Sequence, residues 1–183
     1  MRKLYAGLFM SLDGVVEAPD QWQFDVFDEA MGAELSKQFA EQDAMLMGRV
    51  TYEQWASYWP DSTDEPFATF INKTPKYVVS TTLDKVEWGK WNTVSLLQGD
   101  LTEAINKLKS QPGKDIGVGG SIGLVQSLIH HDLLDELRLM IHPVIVNRGK
   151  QLFKDGNTLK RLTLIEQKTT NTGVLLASYQ LKS

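Results

Sequence analysis

Short apolar runs of strand length alternate with stretches of helical period from residue 3 to about residue 130, and this alternation restricts the fold more than any other feature of the chain. Residues 3–10, 44–47, 77–80, 94–97 and 116–118 are short and mostly apolar, and turn chemistry in Gly, Ser, Thr or Asp follows each. Between them, Phe27, Met31, Leu35 and Phe39 recur every four residues with Glu34, Lys37 and Glu41 interspersed, which predicts an amphipathic helix from Asp25 onward. Residues 51–58 read as a helix stopped by Trp59-Pro60, and a short segment around Phe67, Phe70 and Ile71 follows a polar turn. Asp100, three residues before Glu103, resembles a capping box that opens a helix bearing Leu101, Ile105 and Leu108. A last helix carries Leu124, Val125, Leu128 and Ile129 behind a Gly-rich turn. Strands joined by helices must run parallel with both faces covered. Residues 137–146 then predict a long strand in which Pro143 marks an edge or a bulge. Residues 163–169 and 174–181, separated by Thr170-Asn171-Thr172-Gly173, predict a terminal hairpin. The expected fold is three-layer α/β/α, with a mixed, mostly parallel sheet and a C-terminal antiparallel hairpin. No repeat, low-complexity tract or linker interrupts it, so one domain over 1–183 is expected.

Composition removes several functions. The chain has no Cys, which excludes disulfides, thiolate zinc sites, iron–sulfur ligation and cysteine nucleophiles. With 19 basic and 23 acidic residues and no long basic stretch, it lacks the footprint of a nucleic-acid binder. No run approaches the roughly 20 apolar residues of a membrane span. Met1-Arg2-Lys3 followed by apolar residues imitates a signal peptide, but Asp13-Gly14 interrupts it and Glu17-Ala18-Pro19 is a poor cleavage site. A cytoplasmic domain with no membrane or nucleic-acid partner is expected.

Three segments carry anion-binding chemistry. Gly117-Val118-Gly119-Gly120-Ser121-Ile122-Gly123 is strand, Gly-rich turn and helix start, where free N–H groups and a partial positive charge suit phosphate. Gly48-Arg49-Val50-Thr51 repeats that arrangement with a guanidinium fork and a hydroxyl. Ser80, Thr81 and Thr82 close a third strand with three hydroxyls. Each lies at a predicted strand C-terminus, where open α/β sheets bind ligands. A ligand with several phosphates, such as a dinucleotide, satisfies all three. The same glycines lack the third position of a dinucleotide fingerprint, and Asp135 precedes the next strand instead of ending it. They also spell a G-x-S-x-G elbow, which makes a serine hydrolase with Ser121 as nucleophile the alternative, although His130, His131 and His142 follow too closely for an ordinary triad.

Met47-Gly48-Arg49-Val50-Thr51-Tyr52-Glu53 resembles the M-G-R-x-T-[WY]-E segment of dihydrofolate reductases, and Ser11-Leu12-Asp13-Gly14 resembles the S-L-D-G of the RibD C-terminal reductase domains of riboflavin synthesis. Gly119-Gly120, Asp135-Glu136-Leu137, Pro143-Val144 and Gly149-x-x-Leu152-Phe153 are similar to further segments of that branch, in the same order. The resemblance runs from about residue 2 to 182. It implies a dihydrofolate reductase-like fold and an NADPH-dependent reductase acting on a small pyrimidine- or pteridine-like molecule. By this resemblance Gly48, Arg49, Val50 and Thr51 meet the cofactor phosphates, and Ser80, Thr81 and Thr82 the adenosine 2′-phosphate side. Gly119, Gly120, Ser121, Ile122 and Gly123 surround the pyrophosphate and nicotinamide. It implies a homodimer too, for which the Pro143 strand is a candidate edge.

Reducing a C=N or C=O bond requires a proton besides hydride. The resemblance places its donor on the helix after Trp22, which selects Asp28, with Asp25, Asp13 and water as alternatives. Trp22, Trp55, Trp59 and Phe67 are candidates for lining an aromatic-ring pocket. A non-catalytic nucleotide-binding protein is the remaining reading.

Overall fold

The computed structural model describes residues 1–153 and 159–181. In chain order the elements are β1 (Leu4–Ser11), α1 (Glu29–Glu41), β2 (Gln42–Gly48), α2 (Arg49–Ala56), α3 (Phe67–Lys73), β3 (Lys76–Val79), β4 (Val94–Leu97), α4 (Leu101–Lys109), β5 (Asp115–Val118), α5 (Ile122–His130), β6 (Glu136–His142), β7 (Leu162–Thr169) and β8 (Leu175–Leu181). The strands form one sheet in the order β4-β3-β2-β5-β1-β6-β8-β7. Neighbours from β4 to β6 are parallel, while β8 and β7 add as an antiparallel hairpin.

The two faces of the sheet are covered differently. On one face Leu4, Ala6, Leu46, Ile116, Val118, Leu137 and Leu139 meet Ile105 and Leu108 of α4 and Val125 and Leu128 of α5 in one continuous cluster. On the other face there are two clusters. Met45, Met47 and Val78 pack with Tyr52, Ile71 and Trp88. Met140 and Leu176 pack with Met31 and Val174. Between them β1 carries Gly7 and β5 carries Gly117, with Gly119 just beyond its end, and Gly117 lies in register with Tyr5 and with Met45. Residues two apart on a strand share a face, so these glycines leave a trough where a second core would otherwise close.

Local chemistry sets the helix ends. Asp100 accepts from the Glu103 N–H at 2.9 Å, as its spacing suggested. The Lys76 ammonium donates to the carbonyls of Ile71 and Thr74 at the end of α3, at 2.5 and 2.6 Å, and its burial lowers its pKa to about 8.

Three sequence expectations need correction. Helix α1 begins at Glu29, because the Asp28 carboxylate accepts from the Met31 N–H at 3.1 Å and caps it, so Phe27 precedes the helix. Helix α2 begins at Arg49, directly after Gly48. Strand β6 ends at His142, before Pro143, and is paired on both sides by β1 and β8. Pro143 therefore stops an inner strand and marks no edge, and the edges are β4 and β7. No helix among the described residues is long and apolar enough to cross a membrane.

Candidate active site

A cleft of about 1390 Å³ opens over the glycine trough. All three anion-binding segments line it: Gly48, Arg49, Val50 and Thr51; Ser80, Thr81 and Thr82; and Gly119, Gly120, Ser121, Ile122 and Gly123. They follow the C-terminal ends of β2, β3 and β5, which are adjacent or next-but-one in the sheet.

Two helix N-termini meet here. Neither α2 nor α5 has a side-chain cap, although Ser121 occupies the cap position of α5. Their first-turn N–H groups therefore keep donor capacity and a partial positive charge for a ligand. The two turns are tied by Gly48 N–H to the Gly120 carbonyl at 3.0 Å and by Gly119 N–H to the Leu46 carbonyl at 3.1 Å. This approach needs glycine. A Cβ at Gly48 would collide with Ser121 Oγ, and one at Gly120, where φ is +116°, would lie 2.6 Å from Thr51 Oγ1. Gly119 faces the Trp55 ring. A Cβ at Gly123 would meet nothing within 4 Å, so the first turn of α5 is open to the cleft.

The polar side chains are partly engaged. Arg49 Nη1 lies 3.0 Å from Glu53 Oε1 in an exposed pair, a weak hold that a phosphate can replace. Ser80 Oγ accepts from the N–H groups of Thr82 and Leu83, both at 3.1 Å, and so shapes its turn, leaving Thr81 and Thr82 exposed. Of the four aromatic candidates, Trp55, Trp59 and Phe67 line the cleft with Phe39 and Ile71. Trp22 instead packs edge-on against His142, ring centres 5.3 Å apart.

The carboxyls expected to supply a proton are elsewhere. Asp28, Asp25 and Asp13 are not among the cleft-lining residues. Desolvation raises the pKa of the Asp28 carboxyl, but it accepts from Met31 N–H and from Thr172 Oγ1 at 3.0 Å, and these bonds to the charged form outweigh it and hold the carboxyl below the ordinary range. A lowered pKa is the opposite of what a proton donor requires, and the role the structure shows for Asp28 is that of a helix cap outside the cleft. Asp13 accepts from Ser11 Oγ and from the N–H groups of Val146 and Asn147, pinning the loop after β6. The hydrolase constellation is not assembled. His130 and His131 lie at the far end of α5, about 13 Å along its axis from Ser121. His142 is fully buried between Phe9 and Trp22. Asp135 accepts from Leu4 N–H at 2.7 Å and pairs with Lys109, a structural tie at the opposite end of β1.

Sequence reasoning missed Glu17, Asp20 and Lys150 at the cleft, and Gln23, Gln38 and Gln42 with them. Only the in-strand glycines, Gly7 and Gly117, gave a signal, since glycine within a strand often marks a close approach.

The mostly parallel sheet with its C-terminal antiparallel hairpin has the dihydrofolate reductase-like fold. The chain belongs to the RibD C-terminal domain family, whose model matches residues 2–176. It is 31% identical over 184 residues to the uncharacterized protein YyaP of Bacillus subtilis, covering 97% of this chain and 94% of that one. Its fold is that of a riboflavin biosynthesis protein assigned in Shewanella sp. PV-4, with TM-score 0.82, 22% identity and 99% of both chains covered. Dihydrofolate reductase from Enterococcus faecalis, solved with NADP(H), superposes with TM-score 0.59 and 12% identity, covering 99% of this chain and 97% of that one.

Proposed function

We propose that the chain is an NADPH-dependent reductase acting on a C=N or C=O bond of a small pyrimidine- or pteridine-like molecule. The observation that carries this reading is the tied pair of helix N-termini, α2 and α5, opening on one cleft beside Ser80, Thr81 and Thr82. Two adjacent uncapped termini suit two linked phosphates. In this reading Gly48, Val50 and Thr51 offer one cradle, and Gly119, Gly120, Ser121, Ile122 and Gly123 the other. Arg49, with Thr81 and Thr82 close to the Ser80 turn, takes the additional 2′-phosphate. The open face at Gly123 and the Cβ-free approach of Gly119 and Gly120 fit such a ligand.

NADPH, when bound, supplies hydride. The chain's own tasks are to hold the acceptor and to let a proton reach it. Phe39, Phe67 and Trp55 give the acceptor apolar walls that exclude bulk water. With Asp28 engaged as a cap, the proton comes from water at the mouth of the cleft. Glu17 and Asp20 are the carboxylates that line the cleft among the described residues, and Glu17 lies 3.6 Å from the Lys150 ammonium. A second copy would add at β7, the edge strand that leaves Leu162, Leu164 and Ile165 exposed.

The test is NADPH consumption across a panel of dihydropteridines and cyclic pyrimidine imines. Turnover of at least one is expected. Tight NADPH binding without oxidation of any of them would favour a non-catalytic nucleotide-binding protein instead.

A further inference from the structure

Three glutamines at the cleft have no task in cofactor binding. Gln23 precedes α1, Gln38 lies on α1 and Gln42 begins β2. All three line the cleft, and they are only 7%, 6% and 6% exposed. Polar side chains buried to this degree normally spend their hydrogen bonds within the protein, and these do so only in part. Gln23 Oε1 is buried with no partner. Gln42 Oε1 accepts from Tyr5 Oη at 2.6 Å, and Gln38 Nε2 donates to Glu34 Oε1 at 3.1 Å. Among the described residues, Gln42 Nε2 and Gln38 Oε1 have no hydrogen-bond partner.

The sheet is built to seat these amides. A Cβ at Gly117 would overlap Gln42 Oε1, and one at Gly7 would lie 2.7 Å from Gln38 Oε1. Tyr5, whose hydroxyl meets both Gln42 Oε1 and the Gln38 carbonyl, is clamped in turn by the Arg138 guanidinium, 3.9 Å from its ring centre. Arg138 is itself held by Glu136 and Glu41 at 2.9 and 2.8 Å. A carboxamide fixed through such a chain is pre-organised, so its free edge presents hydrogen bonds in a set direction. Above it the walls are apolar, with Leu35, Phe39, Phe67 and Ile71. A flat ring fits between such walls, with its polar edge toward the amides.

We propose that Gln38 and Gln42 are specificity-determining residues that read a ring N–H beside a C=O on the substrate. One free acceptor and one free donor gathered around Tyr5 complement such an edge. A ring without the N–H would cover the Gln38 acceptor, leave it unpaired and be rejected. The proposal rests on the reductase reading of the cleft.

The probes are lumazine, which has ring N–H groups beside carbonyls, and 1,3-dimethyllumazine, which lacks those N–H groups. Each is titrated by fluorescence against the full chain, with and without saturating NADP⁺, and NADP⁺ binding is measured separately. The wild type should prefer lumazine by about tenfold or more, the scale of one unmade buried hydrogen bond. Gln38→Met and Gln42→Met keep side-chain volume and should bring the preference within about threefold, with NADP⁺ affinity unchanged. Gly117→Ala keeps every amide but displaces that of Gln42, and should likewise bring the preference within about threefold. Melting curves identify any variant that fails to fold, and the remaining variants then decide. Equal binding of the two probes by the wild type, binding of neither, or an undiminished preference in folded Gln38→Met and Gln42→Met would overturn the proposal. Loss of NADP⁺ binding in the wild type would overturn the reductase reading, while the lumazine preference measured without cofactor would still decide the role of the glutamines.

Discussion

The backbone N–H of Gly48 donates to the carbonyl oxygen of Gly120 at 3.0 Å, tying the turn after β2 to the turn after β5. Both residues must lack a Cβ for the bond to form, because each would otherwise strike a side chain of the opposite turn, Ser121 or Thr51. The bond fixes two helix N-termini side by side at the cleft, and it does so from backbone atoms alone.

Gly120→Ala should therefore be costly. At φ +116° a side chain is strained, and its Cβ would lie 2.6 Å from Thr51 Oγ1. A loss of about 1–3 kcal/mol is expected in chemical denaturation, together with weaker NADPH binding. Gly123→Ala is the contrast. Nothing lies within 4 Å of its Cβ position, and alanine favours the helix, so stability should hold or rise while NADPH affinity falls.

Arg49→Ala should separate stability from binding. The pair with Glu53 is exposed, so thermal stability should change by no more than about 0.5 kcal/mol. NADPH affinity, read by calorimetry, should fall by about 1.5–3 kcal/mol if the guanidinium makes a charged hydrogen bond to phosphate. Glu53→Gln, which releases Arg49, should strengthen binding.

Asp28→Ala distinguishes a cap from a proton donor. The cap role predicts a lower melting temperature, through loss of the bonds to Met31 and Thr172, with most of kcat retained at saturating substrate. A catalytic acid would instead show a large loss of kcat with little change in melting.

Asp13 should govern part of the acid stability. Its hydrogen bonds from Ser11, Val146 and Asn147 lower its pKa from 3.8 to about 2. The folded form thus favours the carboxylate, so this contribution is full above pH 3.8 and is lost as pH falls through about 2. Asp13→Asn should flatten stability against pH within that window, as followed by circular dichroism.

Much of the fold was legible because local pattern and tertiary need agree. The apolar runs at 44–47 and 116–118 are buried on both faces and read as strands, and the three polar segments after β2, β3 and β5 stand where a parallel sheet opens. Pro143 misled because sequence order hides sheet order: β6 is inserted beside β1, and the proline ends an inner strand. Phe27 fits the helical period, yet the Asp28 cap outweighs periodicity at that end. The glutamine floor was not legible, since Gln38 and Gln42 look like ordinary polar positions until Gly7 and Gly117, distant in sequence, are brought beneath them.

The most direct measurement is a paired titration of NADPH and NADH against intrinsic tryptophan fluorescence, with Trp55 placed beside Gly119 to report on the cleft. Saturable quenching by NADPH at concentrations well below those needed for NADH is the expected result. Equal affinity for the two, or no binding of either, would contradict the assignment of the two helix N-termini and Arg49 to a 2′-phosphorylated dinucleotide.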